Sequence, residues 1–161
     1  MKAVIMSDSH GLYHQMEKVV SMYRTADLLI HTGDICGDED YLRSIFDNRL
    51  YIVRGNNDYM SDLPDEEIIR FGNYKILATH GHTMNVYFSY DKILNRALKL
   101  GCDMAFFGHT HVPIIERIQG IWLVNSGSLA YPRGKNRTPS FATLEIDREN
   151  EVHFNIHYLK K

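Results

Sequence analysis

Residues 2–11 read KAVIMSDSHG. The short run Lys2–Met6 breaks abruptly into Ser7-Asp8-Ser9-His10-Gly11. It is too short for a stable helix and is bounded by turn formers, so it reads as a buried strand. The polar stretch follows at once, placing Asp8 and His10 at the carboxyl end of that strand. The pattern recurs twice. Asp27–His31 leads into Thr32-Gly33-Asp34, and Leu50–Val53 leads into Arg54-Gly55-Asn56-Asn57-Asp58. Helical patterns over Leu12–Tyr23 and Glu39–Phe46 separate the three strands. This β-α-β-α-β order predicts parallel strands joined by right-handed crossovers. In such sheets ligands gather beyond the carboxyl ends of the strands, so the three loops are expected to converge.

Farther along, Glu67–Phe71 and Tyr74–Ala78 flank Gly72-Asn73, a hairpin signal. A helix over Tyr87–Leu100 is expected to end at Gly101, a residue suited to the left-handed C-cap. Strand-like runs follow at Asp103–Phe107, Ile114–Ile118, Ile121–Val124, Phe141–Ile146 and Val152–Leu159. The expected architecture is α/β: two mixed β-sheets packed as a sandwich with flanking helices, one domain over residues 1–161. Two more strand ends carry chemistry-bearing residues, Thr79-His80-Gly81-His82 and Gly108-His109-Thr110-His111.

Composition narrows the field. At 161 residues the chain can bury a core without disulfide or metal staples. A formal net charge of -2 provides no basic field for gripping a nucleic-acid backbone, leaving nucleic acid open only as a substrate. Two cysteines, Cys36 and Cys102, lack metal-site spacing and read as reduced thiols. The apolar run at the N-terminus is too short for a signal-peptide core, and no stretch approaches a membrane span. A cytoplasmic location without membrane contact is the expectation; the oligomeric state, including a homo-oligomer, stays open.

Asp and His with an Asn carbonyl, and no thiolate, form an oxygen/nitrogen donor set suited to first-row divalent metals. The donors are Asp8, His10, Asp34, Asn56, His80, His109 and His111. Seven protein ligands exceed what one catalytic ion with an open position can use, and they suit two ions sharing a carboxylate. Residues two apart in extended backbone point the same way, so Asp8/His10 and His109/His111 would each aim together.

Asp8-x-His10, Gly33-Asp34, Gly55-Asn56-x-Asp58, His80 and Gly108-His109-x-His111 resemble, in order, the five blocks of calcineurin-like metallophosphoesterases. Asn125-Ser126-Gly127-Ser128 with Pro132-Arg133, and the short length, resemble the small YfcE-like phosphodiesterase branch. The resemblance implies a four-layer α/β/β/α fold. It also implies two divalent ions, with Mn2+ expected and Ni2+, Zn2+ or Fe as alternatives. One ion would be held by Asp8, His10, Asp34 and His111, and the other by Asp34, Asn56, His80 and His109. A hydroxide bridging the ions would attack a small phosphate-ester substrate in line. A Vps29-like binding scaffold and a nuclease or cyclic-nucleotide phosphodiesterase of the same fold are the alternatives.

The chain departs from the pattern at Asn57, where the family often has His and the small branch often Cys. Asn57 donates a hydrogen bond but no proton near neutral pH. Activated or aryl esters, or recruitment of His82 or a metal-bound water, are therefore expected, with Asp58 orienting its neighbours. Ser126 stands where the branch has proline. Arg54 and Arg133 are candidates to meet a phosphate, with Lys135 and Arg137 in the latter's loop. Tyr59 and Met60 read as pocket wall or packing. The acidic start at Asp38, Glu39 and Asp40 suits a helix dipole. His14, His31, His153 and His157 read as structural or surface residues.

Overall fold

The computed structural model of the protein describes residues 1–134 and 137–160. Among these residues, ten strands form two five-stranded mixed sheets. In the first sheet, β1 (Lys2–Met6), β2 (Leu28–His31) and β3 (Arg49–Ile52) run parallel. Antiparallel β9 (Ser140–Ile146) and β10 (Val152–Tyr158) extend it, giving the order β10-β9-β1-β2-β3. The second sheet contains β4 (Glu66–Phe71), β5 (Tyr74–Thr79), β6 (Met104–Phe107), β7 (Ile114–Ile118) and β8 (Ile121–Asn125). Its order is β4-β5-β6-β8-β7, with β5, β6 and β8 parallel.

Period-2 alternation builds the layers. Ala3 and Ile5 of β1 face inward with Ile76 and Ala78 of β5 and Met104 and Phe106 of β6, filling the space between the sheets. Val4 and Met6 belong to the opposite face and pack on α1 (Tyr13–Met22) and α2 (Glu39–Ile45) through Met16, Val19 and Leu42. Leu77, Ala105 and Phe107 likewise meet Ile93, Leu94 and Ala97 of α3 (Asp91–Leu100). The order of layers is α/β/β/α, as expected. Among the described residues no helix is long and apolar enough to cross a membrane.

The hairpin expected at Gly72-Asn73 forms, with Phe71 paired to Tyr74, and a second two-residue hairpin pairs Ile118 with Ile121 across Gln119-Gly120. Gly101 caps α3 in the left-handed region, its N–H reaching the Leu98 carbonyl at 3.0 Å. The start of that helix needs correction. A short 3-10 helix, His82–Met84, and turns carry the chain to Asp91. Asn85 takes a left-handed φ of 57°, and Ser89 Oγ accepts the Asp91 N–H at 3.1 Å, so helical bonding begins only there. This frees Tyr87 and Phe88 for the rim of the site.

Candidate metal centre

The carboxyl ends of β1, β2, β3, β5, β6 and β8 meet at one rim. Loop-to-loop hydrogen bonds tie them: Asp8 N–H to the Gly33 carbonyl (3.0 Å), Gly108 N–H to the His80 carbonyl (3.2 Å) and Ala130 N–H to the Asp8 carbonyl (3.1 Å). The loop after β8 is a contributor that residue types alone did not mark as part of the centre. Ser128 Oγ donates to the Asp8 carbonyl at 2.9 Å, and Asn125 Nδ2 to the Gly108 carbonyl at 2.7 Å.

The Asp and His pairs do not converge by extended geometry. Asp8, His10, Asp34, His109 and His111 have φ of 53°, 46°, 56°, 66° and 60°, all left-handed. Non-glycine residues pay about 1 kcal/mol or more for that region, so the surrounding bonds hold them there. Such clustering of backbone strain is common at functional sites. Two glycines answer to closeness of approach: a Cβ on Gly108 would overlap Ser7 Oγ and Asp8 Oδ2, and one on Gly55 would overlap Asp34 Oδ1.

Asp34 Oδ2 lies 3.7 Å from His10 Nε2 and 3.5 Å from His80 Nε2, between two groups of donors. On one side are Asp8, His10 and His111; on the other, Asp8, Asp34 and His80 place ligand atoms within 4.8 Å of one another. Asn56 Oδ1 joins the second group, 3.1 Å from His80 Nε2. His109 stands a little apart, its ring centroid 5.1 Å from that of His80 and its N–H on Asp8 Oδ2 at 3.1 Å.

Several features fit divalent cations. The buried atoms Asp8 Oδ1 and His10 Nε2 have no hydrogen-bond partner and lie 3.9 Å apart. His111 Nε2 comes within 2.9 Å of that same oxygen, but not in hydrogen-bond alignment. Such groups are costly to bury unless something compensates them. His80 Nδ1 donates to the Thr32 carbonyl and His111 Nδ1 to the Tyr131 carbonyl, each at 2.7 Å. With Nδ1 bonded on the far side of each ring, Nε2 is the nitrogen that faces the cluster, where a metal would take its lone pair.

Electrostatics agree. Burial alone would raise the Asp34 carboxyl, but the hydrogen-bonded His80 ring and two Asn57 hydrogen bonds hold it below the ordinary carboxylate range. Burial also opposes ionisation of Asp8, yet His111 and His80 lower it. His80 is raised, its burial outweighed by Asp34 and Asp8. Burial, and then the neighbouring His80, push His109 down to about 4 and also lower His82.

Asp58 binds three backbone N–H groups, those of Asp34 (2.8 Å), Cys36 (2.7 Å) and Gly55 (2.7 Å). Asn57 donates to Asp34 through its N–H (2.8 Å) and Nδ2 (2.6 Å). His82 is half-buried, its ring centroid 5.4 Å from that of His80, and its Nδ1 lacks a partner. Arg54 is engaged elsewhere, with two bonds to Asp65 Oδ1 at 2.9 and 2.7 Å. Arg133 Nη1 donates to the Tyr87 hydroxyl. Tyr59 and Met60 do not pack; they are 80% and 100% exposed. Lys135 lies outside the described residues.

The other histidines have local partners. His14 is exposed on α1, His153 pairs with Asp147 at 2.8 Å, and His157 stacks on Phe141. His31 is fully buried; Gly33 N–H donates to its Nδ1 (3.2 Å), leaving Nε2–H for Ser9 Oγ (3.0 Å). Burial lowers it from 6.5 to about 4, so the unfolded chain takes up the proton first as pH falls. Metal-free protein is therefore expected to lose roughly 3 kcal/mol through this group as pH falls from about 6.5 to about 4. Urea midpoints across that range should fall less steeply in His31→Gln, and identical slopes would contradict the assignment.

A family model for the calcineurin-like phosphoesterase superfamily domain matches residues 1–149. The chain belongs to that family. A probable metallophosphoesterase of Bacillus subtilis is 35% identical over 150 residues, covering 92% of this chain and 86% of the relative. A conserved Streptococcus pneumoniae protein, described as a predicted phosphoesterase, superposes with TM-score 0.83 at 28% identity, over 98% of this chain and 97% of the other. A single mutant of Vps29 from Entamoeba histolytica gives TM-score 0.77 at 25% identity, over 99% and 100%. Calcineurin-like phosphoesterase members bind divalent metals, and the donor groups around Asp8 and Asp34 supply candidate ligands for them here.

Proposed function

We propose that this calcineurin-like phosphoesterase hydrolyses phosphodiesters with two divalent ions, Mn2+ foremost, with Ni2+, Zn2+ or Fe suited to the same donors. The observation that carries the reading is Asp34 Oδ2 lying within 3.7 Å of both His10 Nε2 and His80 Nε2. Asp8, His10, Asp34 and His111 would hold one ion, and Asp34, Asn56, His80 and His109 the other. Bound there, such ions lower the pKa of water and offset negative charge on phosphate oxygens.

The chain's own residues set the rest. Asp58 holds the backbone of the Asp34 and Gly55 loops, and Asn57 holds both oxygens of Asp34. Arg54 is tied to Asp65 and Arg133 to the Tyr87 hydroxyl, so both guanidiniums are already engaged, which favours the singly charged diester over a dianionic monoester. A Vps29-like scaffold is structurally close. Asp8 Oδ1 and His10 Nε2, buried without hydrogen bonds, suit a bound metal, and because an Entamoeba histolytica Vps29 is also described with Zn2+, turnover and not metal binding separates the two readings.

Protein loaded with Mn2+ is expected to hydrolyse bis(p-nitrophenyl) phosphate and to lose that activity in EDTA. Full turnover in EDTA would contradict the proposal. Asn57 cannot protonate a leaving group, and His82 is lowered by burial and His80 into its neutral form near pH 7. Esters with good leaving groups should therefore react best. Asn57→His is expected to raise turnover of diesters with alkyl leaving groups by about ten-fold or more. Aryl esters should gain less; an equal gain on both would refute the role given to position 57.

A further inference from the structure

We propose that Tyr59, Tyr87 and Tyr131 form an aromatic collar around the metal centre, and that the substrate is a phosphodiester of mononucleotide size with a nucleobase on one ester arm. The proposal rests on the phosphoesterase reading for its chemistry but on separate residues for its binding.

Each tyrosine comes from a different loop and touches a different residue of the centre. The Tyr131 ring centroid is 5.0 Å from that of His10, and the Tyr87 ring centroid 4.8 Å from that of His109. The Tyr59 hydroxyl donates to Asn57 Oδ1 at 3.2 Å. All three are exposed, and Met60 and Phe88 beside them are 100% and 92% exposed. Single exposed apolar residues need no explanation, but a ring of them around one polar centre does.

The Tyr87 ring is held in place. Its hydroxyl donates to the His109 carbonyl at 2.9 Å and accepts from Arg133 Nη1, and the Arg133 guanidinium sits 5.9 Å from the ring centroid. A ring already fixed loses little entropy when a planar ligand stacks on it. Stacking on aromatic and guanidinium faces suits any nucleobase, since every base has a π-face.

Two clefts are lined by collar residues. One, about 370 Å³, is lined by Cys36, Asn57, Tyr59 and Met60 among others. The other, about 340 Å³, is lined by Tyr131, Pro132, Arg133 and Arg137. Tyr59 belongs to the first and Tyr131 to the second. The net charge of -2 provides no extended basic track, which argues for a small diester over a long polymer.

The test compares two diesters with the same leaving group, thymidine 5′-(p-nitrophenyl phosphate) and methyl p-nitrophenyl phosphate, on Mn2+-loaded protein. The nucleoside ester is expected to show kcat/KM about ten-fold higher. That ratio should fall toward unity in Tyr87→Ala and Tyr131→Ala, chiefly through KM. It should persist in Tyr131→Phe, which keeps the ring, and in Tyr158→Ala on β10, and fall part-way in Tyr87→Phe, which keeps the ring but loses the hydroxyl bonds that fix it. Calorimetric titration with thymidine 5′-monophosphate and methyl phosphate reads binding without turnover, and the nucleotide should bind about ten-fold tighter. Hydrolysis of both esters with a ratio near unity in all proteins would overturn the collar and leave the phosphoesterase reading standing. Absence of hydrolysis with the nucleotide preference intact, and lost in the Ala variants, would overturn the hydrolytic reading and support the collar. Neither hydrolysis nor preference would overturn both.

Discussion

Asp34→Asn is expected to lower Mn2+-dependent diester hydrolysis by about 100-fold or more while leaving the chain folded. Altering a residue that merely supports a metal ligand costs about 10- to 100-fold, and a ligand shared by two ions should cost at least the upper figure. The carboxylate is nearly enclosed, 1% exposed, and both of its oxygens are used. Oδ1 accepts the Asn57 N–H and Oδ2 the Asn57 amide, while Oδ2 is also the atom nearest His10 and His80. An amide at position 34 has the same shape but turns one acceptor into a donor, so one of these contacts becomes repulsive. The cost in stability should be about 1–3 kcal/mol, the usual penalty for one mismatched buried polar group. Activity, bound manganese and urea midpoint should be measured on the same sample. Loss of activity with manganese retained would place Asp34 in substrate orientation instead. Unchanged activity would remove it from the centre altogether.

Asp58→Ala should be the most destabilising change in the region. Asp58 is 4% exposed and takes the N–H groups of Asp34, Cys36 and Gly55 at 2.8, 2.7 and 2.7 Å. No side chain replaces it in alanine, and the buried Asp34 and Gly55 N–H groups, with that of exposed Cys36, would lose their acceptor. At about 1–3 kcal/mol for each buried donor, with partial relaxation, the expected loss is roughly 2–5 kcal/mol. Because the donors belong to the loops carrying Asp34 and Asn56, manganese affinity should also fall about 10- to 100-fold. Asp58→Asn keeps one acceptor oxygen and should fall between wild type and alanine on both scales. A stability change within about 0.5 kcal/mol for Asp58→Ala would show that other groups satisfy these amides.

Much of the layout is legible along the chain because it depends on short-range pattern. The alternation in Ala3-Val4-Ile5-Met6 separates the residues facing the second sheet from those facing the helices, and the abrupt change at Ser7 marks the strand end. The seven candidate donors stand out by residue type and by following strands. How they are aimed is less legible. Left-handed φ values at Asp8, His10, Asp34, His109 and His111 are imposed by contacts between distant loops, and none of these residue types demands that conformation. Backbone carbonyls that orient ligands, such as Thr32 for His80 and Tyr131 for His111, have no side-chain signal at all. Arg54, paired with Asp65 eleven residues on, and the start of α3, where Asn85 is left-handed and Ser89 accepts the Asp91 N–H, do carry local side-chain signals, but ones that apolar periodicity does not reveal.

The most direct measurement is electron paramagnetic resonance of the protein titrated with Mn2+, with bound metal counted on the same samples. Two ions per chain are expected, giving the exchange-coupled signal of a manganese pair that share a ligand, and Asp34→Asn should abolish the coupling. Binding of a single ion, or of two ions with only isolated-ion spectra, would contradict a centre built around one shared aspartate.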